Sequence, residues 1–306
     1  GRLNAVPCRR ARIREPMRWT AHHLLIFACV LASGCSSAEP VSPRPPVPAP
    51  LAVMMQPETP LVIAHRGGRT DGPEETIESM RLARAAGADV LELDLHRTAD
   101  GVVVCMHDAV VDRTTDGTGP IAELDWSALQ ALDAGFHFSP PGTEAHPFRG
   151  QGVRVPSLKI VLEAFPDVPF ILEIKQSEPP IVDDVLAVLR DAGALDRVVL
   201  ASFSADTLAA VRRAPDAPAT SLAASEVASW LWDDDNIAPG AFLHLPPSLG
   251  MDLVTPALLD RAHGEGLAVQ VWTISEEAEM RAMLALGVDG VMTTDPGRMR
   301  RVVDER

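Results

Sequence analysis

Residues 61–117 read LVIAHRGGRTDGPEETIESMRLARAAGADVLELDLHRTADGVVVCMHDAVVDRTTDG, and three short apolar runs in them carry groups that such runs normally exclude. The first run, 61–64, leads directly into His65 and Arg66. The second holds Glu92 and Asp94 two residues apart, a spacing that puts both carboxylates on one face of a strand. The third, 102–106, leads into His107 and Asp108. In a buried parallel strand a charge is costly unless it is paired or bound to a metal. One such group per run is easily fortuitous; three runs sharing the habit mark a site.

Outward from this stretch, short apolar runs alternate with helical patterns to the C-terminus. Strands are expected near 61–65, 89–95, 102–107, 169–175, 197–203, 219–223, 268–273 and 289–293. Helices are expected near 74–86, 126–133, 157–164, 179–192, 204–214, 255–265, 275–286 and 296–303. Eight strands with intervening helices predict an α/β fold, a (β/α)8 TIM barrel with a small insertion after the third strand, at about 110–156. Two places strain the count: the link 95–102 is too short for a helix, and AFLHL at 241–245 reads as an extra strand. A doubly wound open sheet is the alternative, and it would bring the charged strand ends together less compactly.

Later strands repeat the pattern of the first three. FILEIK places Glu173 and Lys175 on one face, AVQVWTI does so with Gln270 and Trp272, and GVDGVMTTDPG sets Asp289, Thr293 and Asp295 around a strand end. Barrel strand ends converge on one mouth, so Glu92, Asp94, Glu173, two histidines and a lysine would meet there. An all-oxygen acidic cluster suits a hard cation such as Ca²⁺ or Mg²⁺, whereas zinc usually recruits His or Cys.

Composition narrows the remaining choices. The net charge is −15, and −20 remains once the +5 of the first eighteen residues is set aside, which argues against non-specific nucleic-acid binding. There is no Tyr, and Lys159 and Lys175 are the only lysines, so each invites a reason. From Met17 the chain reads MRWTAHHLLIFACVLASGC: a basic start, an apolar run too short to span a bilayer comfortably, small residues, then Cys35. This resembles a bacterial lipobox, with Ala32 where Leu is commoner, and an ordinary secretory signal is the alternative. The expectation is a signal segment over 1–35 with lipidation at Cys35, translation starting at Met17, and a mature protein lipid-anchored in the cell envelope. Residues 36–60, with eight prolines and no periodic apolar face, read as an extended spacer, leaving 61–306 as the barrel domain. Cys105 then stands alone on a core strand, and no disulfide is expected.

His65-Arg66-Gly67, Pro73-Glu74-Glu75-Thr76, Glu92-Leu93-Asp94, His107-Asp108 and VDRTTDGTG together resemble the glycerophosphodiester phosphodiesterase family, and LEIK, SFS, VWTI and GVDGVMTTDP follow in that family's order. The resemblance covers roughly residues 61–300. It departs at Glu75, where the family's PENT has Asn, and at Ser275, where Asn is commoner. What it implies is a divalent metal on Glu92, Asp94 and Glu173, His65 and His107 as general acid and base, and Arg66 with Lys175 on the phosphate. It further implies hydrolysis of glycerophosphodiesters to sn-glycerol 3-phosphate and an alcohol. The chemistry is coherent. A phosphodiester needs its developing charge neutralised, and histidine can give or take a proton near neutrality.

Each position also has a purely structural reading. Glu92 and Asp94 would suit a solvent-facing edge strand, and Lys175 would stabilise the fold by pairing with Glu173. Glu74, a probable pocket residue, would equally favour a helix N-terminus. Trp272 is as consistent with barrel core as with a substrate-binding wall, and Asp295 before Pro296 reads as a helix cap. Phe136, Phe138, Phe148 and Trp126 in the insertion either line an approach to the site or pack the insertion onto the barrel. Two rival functions remain: cleavage of lysophospholipids or phosphoinositides by the same site, and an anchored binding protein without catalysis. Head-group preference and oligomeric state are open.

Overall fold

A computed structural model describes residues 47–233 and 235–306; the expected signal segment, Cys35 and residues 36–46 of the expected spacer lie outside the described residues. Nine strands form one sheet: β1 (Leu61–Ala64), β2 (Val90–Arg97), β3 (Val103–Cys105), β4 (Phe170–Ile174), β5 (Val198–Ala201), β6 (Ala219–Thr220), β7 (Phe242–Leu245), β8 (Ala268–Val271) and β9 (Gly290–Thr293). Eight of them run parallel in the order β6-β5-β4-β2-β1-β9-β8-β7. A parallel bridge from Ser221 to Phe242 joins the two ends and closes the barrel. The helices are α1 (Ala49–Ala52), α2 (Ile77–Ala85), α3 (Trp126–Ala131), α4 (Leu158–Ala164), α5 (Val182–Asp191), α6 (Ala205–Arg212), α7 (Ala224–Trp232), α8 (Pro256–Gly264), α9 (Glu277–Leu286) and α10 (Pro296–Asp304).

The barrel is therefore the expected one, with one exchange among its strands. The run at 102–107 is not a barrel strand: β3 turns back and pairs antiparallel with the end of β2, Leu95 opposite Cys105. The short link at 95–102 allows only such a reversal, since a parallel return needs a crossover of a dozen or more residues. The eighth barrel strand is instead β7, the AFLHL segment, aligned parallel to β8 with His244 opposite Gln270. The insertion follows β3 and packs on a small core of its own, in which Val111, Ile121, Leu129 and Val153 join Val104 and Met106.

Alternation along β2 shows how the barrel sorts its side chains. Leu91, Leu93 and Leu95 face the helices, in one apolar cluster with Leu158, Leu186 and Leu259, while Val90 faces the interior with Leu61, Ile63 and Ile171. Glu92 and Asp94 continue the inward face and are buried. Interior residues at the strand starts are thus apolar, and those at the strand ends are polar or charged.

The spacer reading needs correction from residue 47 onward. Leu51 and Met54 are fully buried against Leu61, Ile63, Val90 and Phe242, all near the beginnings of barrel strands. Residues 47–55 therefore plug the N-terminal end of the barrel, and the folded domain begins before 61. Burying two such side chains stabilises the domain by about 3–6 kcal/mol at the usual rate for apolar burial. Helix starts are set by side-chain caps on Thr76, Ser157, Ser204, Thr255 and Asp295, each accepting from the backbone N–H three residues on. Asp295 thus caps the last helix as expected. Among the described residues no helix is long and apolar enough to cross a membrane.

Candidate active site

β1 ends in a tight 3-10 turn at His65–Gly67 that brings the chain back over the strand ends. Gly68 holds φ +86°, and a Cβ there would lie 2.9 Å from the Ala83 side chain, so only glycine fits between the turn and α2. Arg66 itself takes φ +52° and Glu75 φ +62°, uncommon for residues with side chains. The two strained residues hold each other, the Glu75 N–H donating to the Arg66 carbonyl at 2.9 Å. The Arg66 N–H in turn donates to Glu92 Oε2 at 2.9 Å. Strain of this kind persists where surrounding bonds over-determine it.

Glu92, Asp94 and Glu173 meet as β2 and β4 run side by side, with Asp94 opposite Glu173 in register. One oxygen from each lies within 4.8 Å of the others. Burial first, and then the neighbouring Asp94, push the Glu92 carboxyl well above the usual carboxylate range. Burial also raises Glu173, against the opposing pull of Lys175. Asp94 Oδ2 is buried with no hydrogen-bond partner. Three hard oxygen donors, mutually repelling and partly unpartnered, fit a divalent cation. The edge-strand reading of Glu92 and Asp94 is excluded, since both are buried inside the barrel.

The cations of the site face these acids. Lys175 Nζ lies 2.9 Å from Glu173 and 3.2 Å from Asp94. Arg66 reaches Asp94 at 3.6 Å and Glu74 at 3.1 Å. Glu74 does not start a helix: α2 begins at Ile77 with Thr76 as its cap, and the Glu74 carboxylate instead bridges Arg66 and Arg113, the latter at 2.6 Å. Burial works to raise Glu74, but the Arg113 hydrogen bond and both arginine charges outweigh it and hold the carboxyl below its ordinary value.

The two histidines stand in different surroundings. His65 Nε2 is 3.9 Å from Glu92 Oε2, and its Nδ1 is buried without a partner. Burial, reinforced by Arg66, lowers its pKa to about 4, so the ring is neutral at physiological pH. His107 Nδ1 lies 2.7 Å from Asp108 Oδ1, and the other oxygen of Asp108 accepts from Arg113 Nε at 2.5 Å. Burial tends to raise Asp108, yet the bonds from Arg113 and His107 bring it down to about 2. His96 braces the same segment by meeting the His107 carbonyl at 3.2 Å.

Trp272 stands at the mouth above β8, half-buried and edge-to-face with Phe203 at 5.9 Å between centroids. Phe203, 59% exposed, carries the Lys175 ammonium 5.7 Å over its ring. Trp272 thus has both environments, one side on the interior apolar cluster and the other on Phe203 at the mouth. In the insertion, Trp126 and Phe148 pack on its small core, Arg149 covers Phe136, and Phe138 alone of the four lines a cleft beside the site. Three residues without a role in the sequence reading take part: Phe203, Arg113 and Glu75. Glu75 is buried, accepts from the Asp94 N–H at 3.2 Å, and is pushed well up by burial and by Asp94. A second acid beside Glu74 in a turn looks like surface until the fold turns it inward.

Residues 65–298 match the Glycerophosphoryl diester phosphodiesterase family. A glycerophosphodiester phosphodiesterase of Caldanaerobacter subterraneus is 30% identical over 252 residues, a match covering 79% of this chain and 97% of that one. An uncharacterized Mycobacterium tuberculosis protein is 38% identical over 160 residues, 52% of this chain and 53% of the relative, so the matched part spans about half of that protein. Among solved structures, the glycerophosphoryl diester phosphodiesterase domain of an uncharacterized Mycobacterium tuberculosis protein superposes with a TM-score of 0.73 at 26% identity, covering 80% of this chain and 100% of that one.

Proposed function

The chain belongs to the glycerophosphoryl diester phosphodiesterase family, and we propose that it hydrolyses glycerophosphodiesters to sn-glycerol 3-phosphate and the free alcohol. The observation that carries this reading is the cluster of Glu92, Asp94 and Glu173 within 4.8 Å, faced by Lys175 and Arg66 and flanked by two histidines. Ca²⁺ or Mg²⁺ is the cation whose chemistry matches these ligands, and when bound it neutralises charge building on the phosphate oxygens. Arg66 and Lys175 supply the N–H donors for those oxygens. His65, kept neutral by burial, accepts the proton of the attacking oxygen, which is a water or the substrate's own glycerol hydroxyl. Protonated on both ring nitrogens, His107 donates its Nδ1–H to Asp108, which orients the ring, and gives its Nε2 proton to the departing alkoxide. Release of glycerol 3-phosphate from a panel of diesters, with and without chelator, tests the reading; no release from any diester overturns it.

The exposed Phe203 beside Trp272, together with exposed Leu249 and Met251 after β7, favours a second reading in which the same site cleaves lysophospholipids. Comparing turnover of glycerophosphocholine with that of lysophosphatidylcholine separates the two. Location is part of the proposal as well. The basic start, apolar run and small residues before Cys35 support a lipid anchor, and the Ser36-Ser37 pair after it supports outer-membrane sorting in a Gram-negative cell. Stable attachment takes two or more acyl chains, which a lipidated Cys35 would carry. In cells expressing the chain from Met17, the wild type is expected in the membrane fraction and Cys35→Ser in the soluble one. A soluble wild type whose mature N-terminus is not Cys35 points to plain secretion instead.

A further inference from the structure

Beside the acidic cluster a cleft of about 360 Å³ opens between the barrel rim and the insertion. Arg69, Thr70, Glu74, Arg113, His137 and Ser139 are among its lining residues. It is continuous with the site through side chains already described: Arg66 reaches from Asp94 to Glu74, and Arg113 reaches from Glu74 to Asp108, which holds His107. In that scheme the alcohol leaving phosphorus takes its proton from His107, and Arg113 places this cleft next to it.

Its charge is unevenly satisfied. Glu74 and Asp108 are two anions set against Arg66, Arg69 and Arg113. Arg113 spends its Nε on Asp108 and one terminal nitrogen on Glu74. Arg69 spends nothing comparable: among the described residues its one ionic contact is a 3.9 Å approach to Glu74 Oε2, beyond hydrogen-bond reach, and 46% of its side chain is exposed. A guanidinium with its planar fork free suits a carboxylate or phosphate, which it takes in paired hydrogen bonds. A quaternary ammonium would meet like charge there and a single Phe, with no Trp or Tyr in the lining, where cages for such cations use several.

We propose that this cleft receives the alcohol portion of the diester and selects head groups that carry a carboxylate or a second phosphate, with Arg69 as the recognising residue. The assignment rests on the hydrolase reading above and adds to it the class of alcohol. Thr70 and Ser139 offer hydroxyls along the same wall, so a polar, hydroxylated anion is the matching occupant.

The test measures kcat/KM of the full-length, metal-loaded enzyme for glycerophosphoserine, bis(glycerophospho)glycerol, glycerophosphoglycerol and glycerophosphocholine. These present a carboxylate beside an ammonium, a second phosphate, a neutral polyol and a quaternary ammonium. Wild type is expected to favour the first two over the choline ester by about ten- to a hundredfold, the worth of one charge-assisted hydrogen bond. Arg69→Gln should collapse that ratio about tenfold or more, and Arg69→Lys should restore part of it because charge returns without the fork. Arg69 is exposed and makes no hydrogen bond among the described residues, so neither variant threatens folding. If the choline ester matches the anionic ones in wild type, or if Arg69→Gln leaves the ratio unchanged, the head-group assignment falls while the hydrolase reading stands. If no diester releases glycerol 3-phosphate, the hydrolase reading itself falls and takes the assignment with it.

Discussion

His244 offers a quantitative check on the barrel interior that does not involve the reaction. It lies on β7 facing inward opposite Gln270 of β8, whose amide is the one polar group that opposes the effect of burial on the ring, without forming a well-aligned hydrogen bond to its Nε2. Burial lowers its pKa from 6.5 to about 4. In the folded protein the ring therefore stays neutral down to about pH 4, whereas the unfolded chain takes up a proton as the pH falls through about 6.5. Between those values the unfolded state binds more protons, so stability must fall as the pH falls. The whole window is worth about 3.4 kcal/mol, and the part between pH 7 and pH 5 about 2 kcal/mol. His244→Leu keeps the volume and removes the titration. Urea unfolding of both proteins at pH 7 and pH 5, with chelator throughout, isolates this residue, because every other titrating group contributes to both curves. The wild type is expected to lose about 2 kcal/mol more than the variant over that interval. Parallel losses, agreeing within about 0.5 kcal/mol, would show that the ring is hydrated or paired inside the barrel and that the argument from burial is wrong.

Three further outcomes follow from the same geometry. Chelation should abolish diester hydrolysis and Ca²⁺ or Mg²⁺ should restore it, while Glu173→Gln should weaken divalent-ion binding measured by calorimetry; full activity after exhaustive chelation would remove the metal from the account. His65→Ala and His107→Ala should each lower kcat by about 10² to 10⁴, the scale of a lost general acid or base, and a near-wild-type rate in either would dismiss that residue. Gly135→Ala puts a Cβ 2.5 Å from the Phe148 carbonyl oxygen, so the insertion's core must shift; a loss of about 1–3 kcal/mol is expected in thermal or urea unfolding, and an unchanged midpoint would contradict that packing.

Which of these features could be read from the chain depended on whether their cause was local. Glu92 and Asp94 were legible because a period of two within an apolar run states which face both carboxylates share. The strand ends at His65 and Lys175 were legible for the same reason. Arg113 and Glu75 were not, since nothing near them in sequence says that a turn folds one across Glu74 and buries the other against Asp94. Helix α7 escaped notice because its start has no capping side chain of its own: Ala223 stands there, and Glu226 accepts the Ala223 N–H at 2.8 Å while also holding Arg212.

The barrel's strand count shows how a correct total can hide an exchange. Apolarity alone ranks 102–107 above 241–245, because VVVCM at 102–106 is unbroken and AFLHL is interrupted by a histidine. Connection length is the better guide, and it points the other way. With β2 ending at Arg97 and β3 starting at Val103, no parallel return is possible, so β3 must reverse; the barrel then lacks one strand and β7 supplies it. That reversal has a consequence for the site. His107 and Asp108 are carried not by a barrel strand, whose end position would be fixed by the sheet, but by a segment that also begins the insertion. Arg113, a few residues further on, ties them back to Glu74 on the barrel rim. The second histidine is therefore placed by a charged clasp between insertion and barrel, and Glu74 and Arg113 of the same clasp line the cleft beside the site.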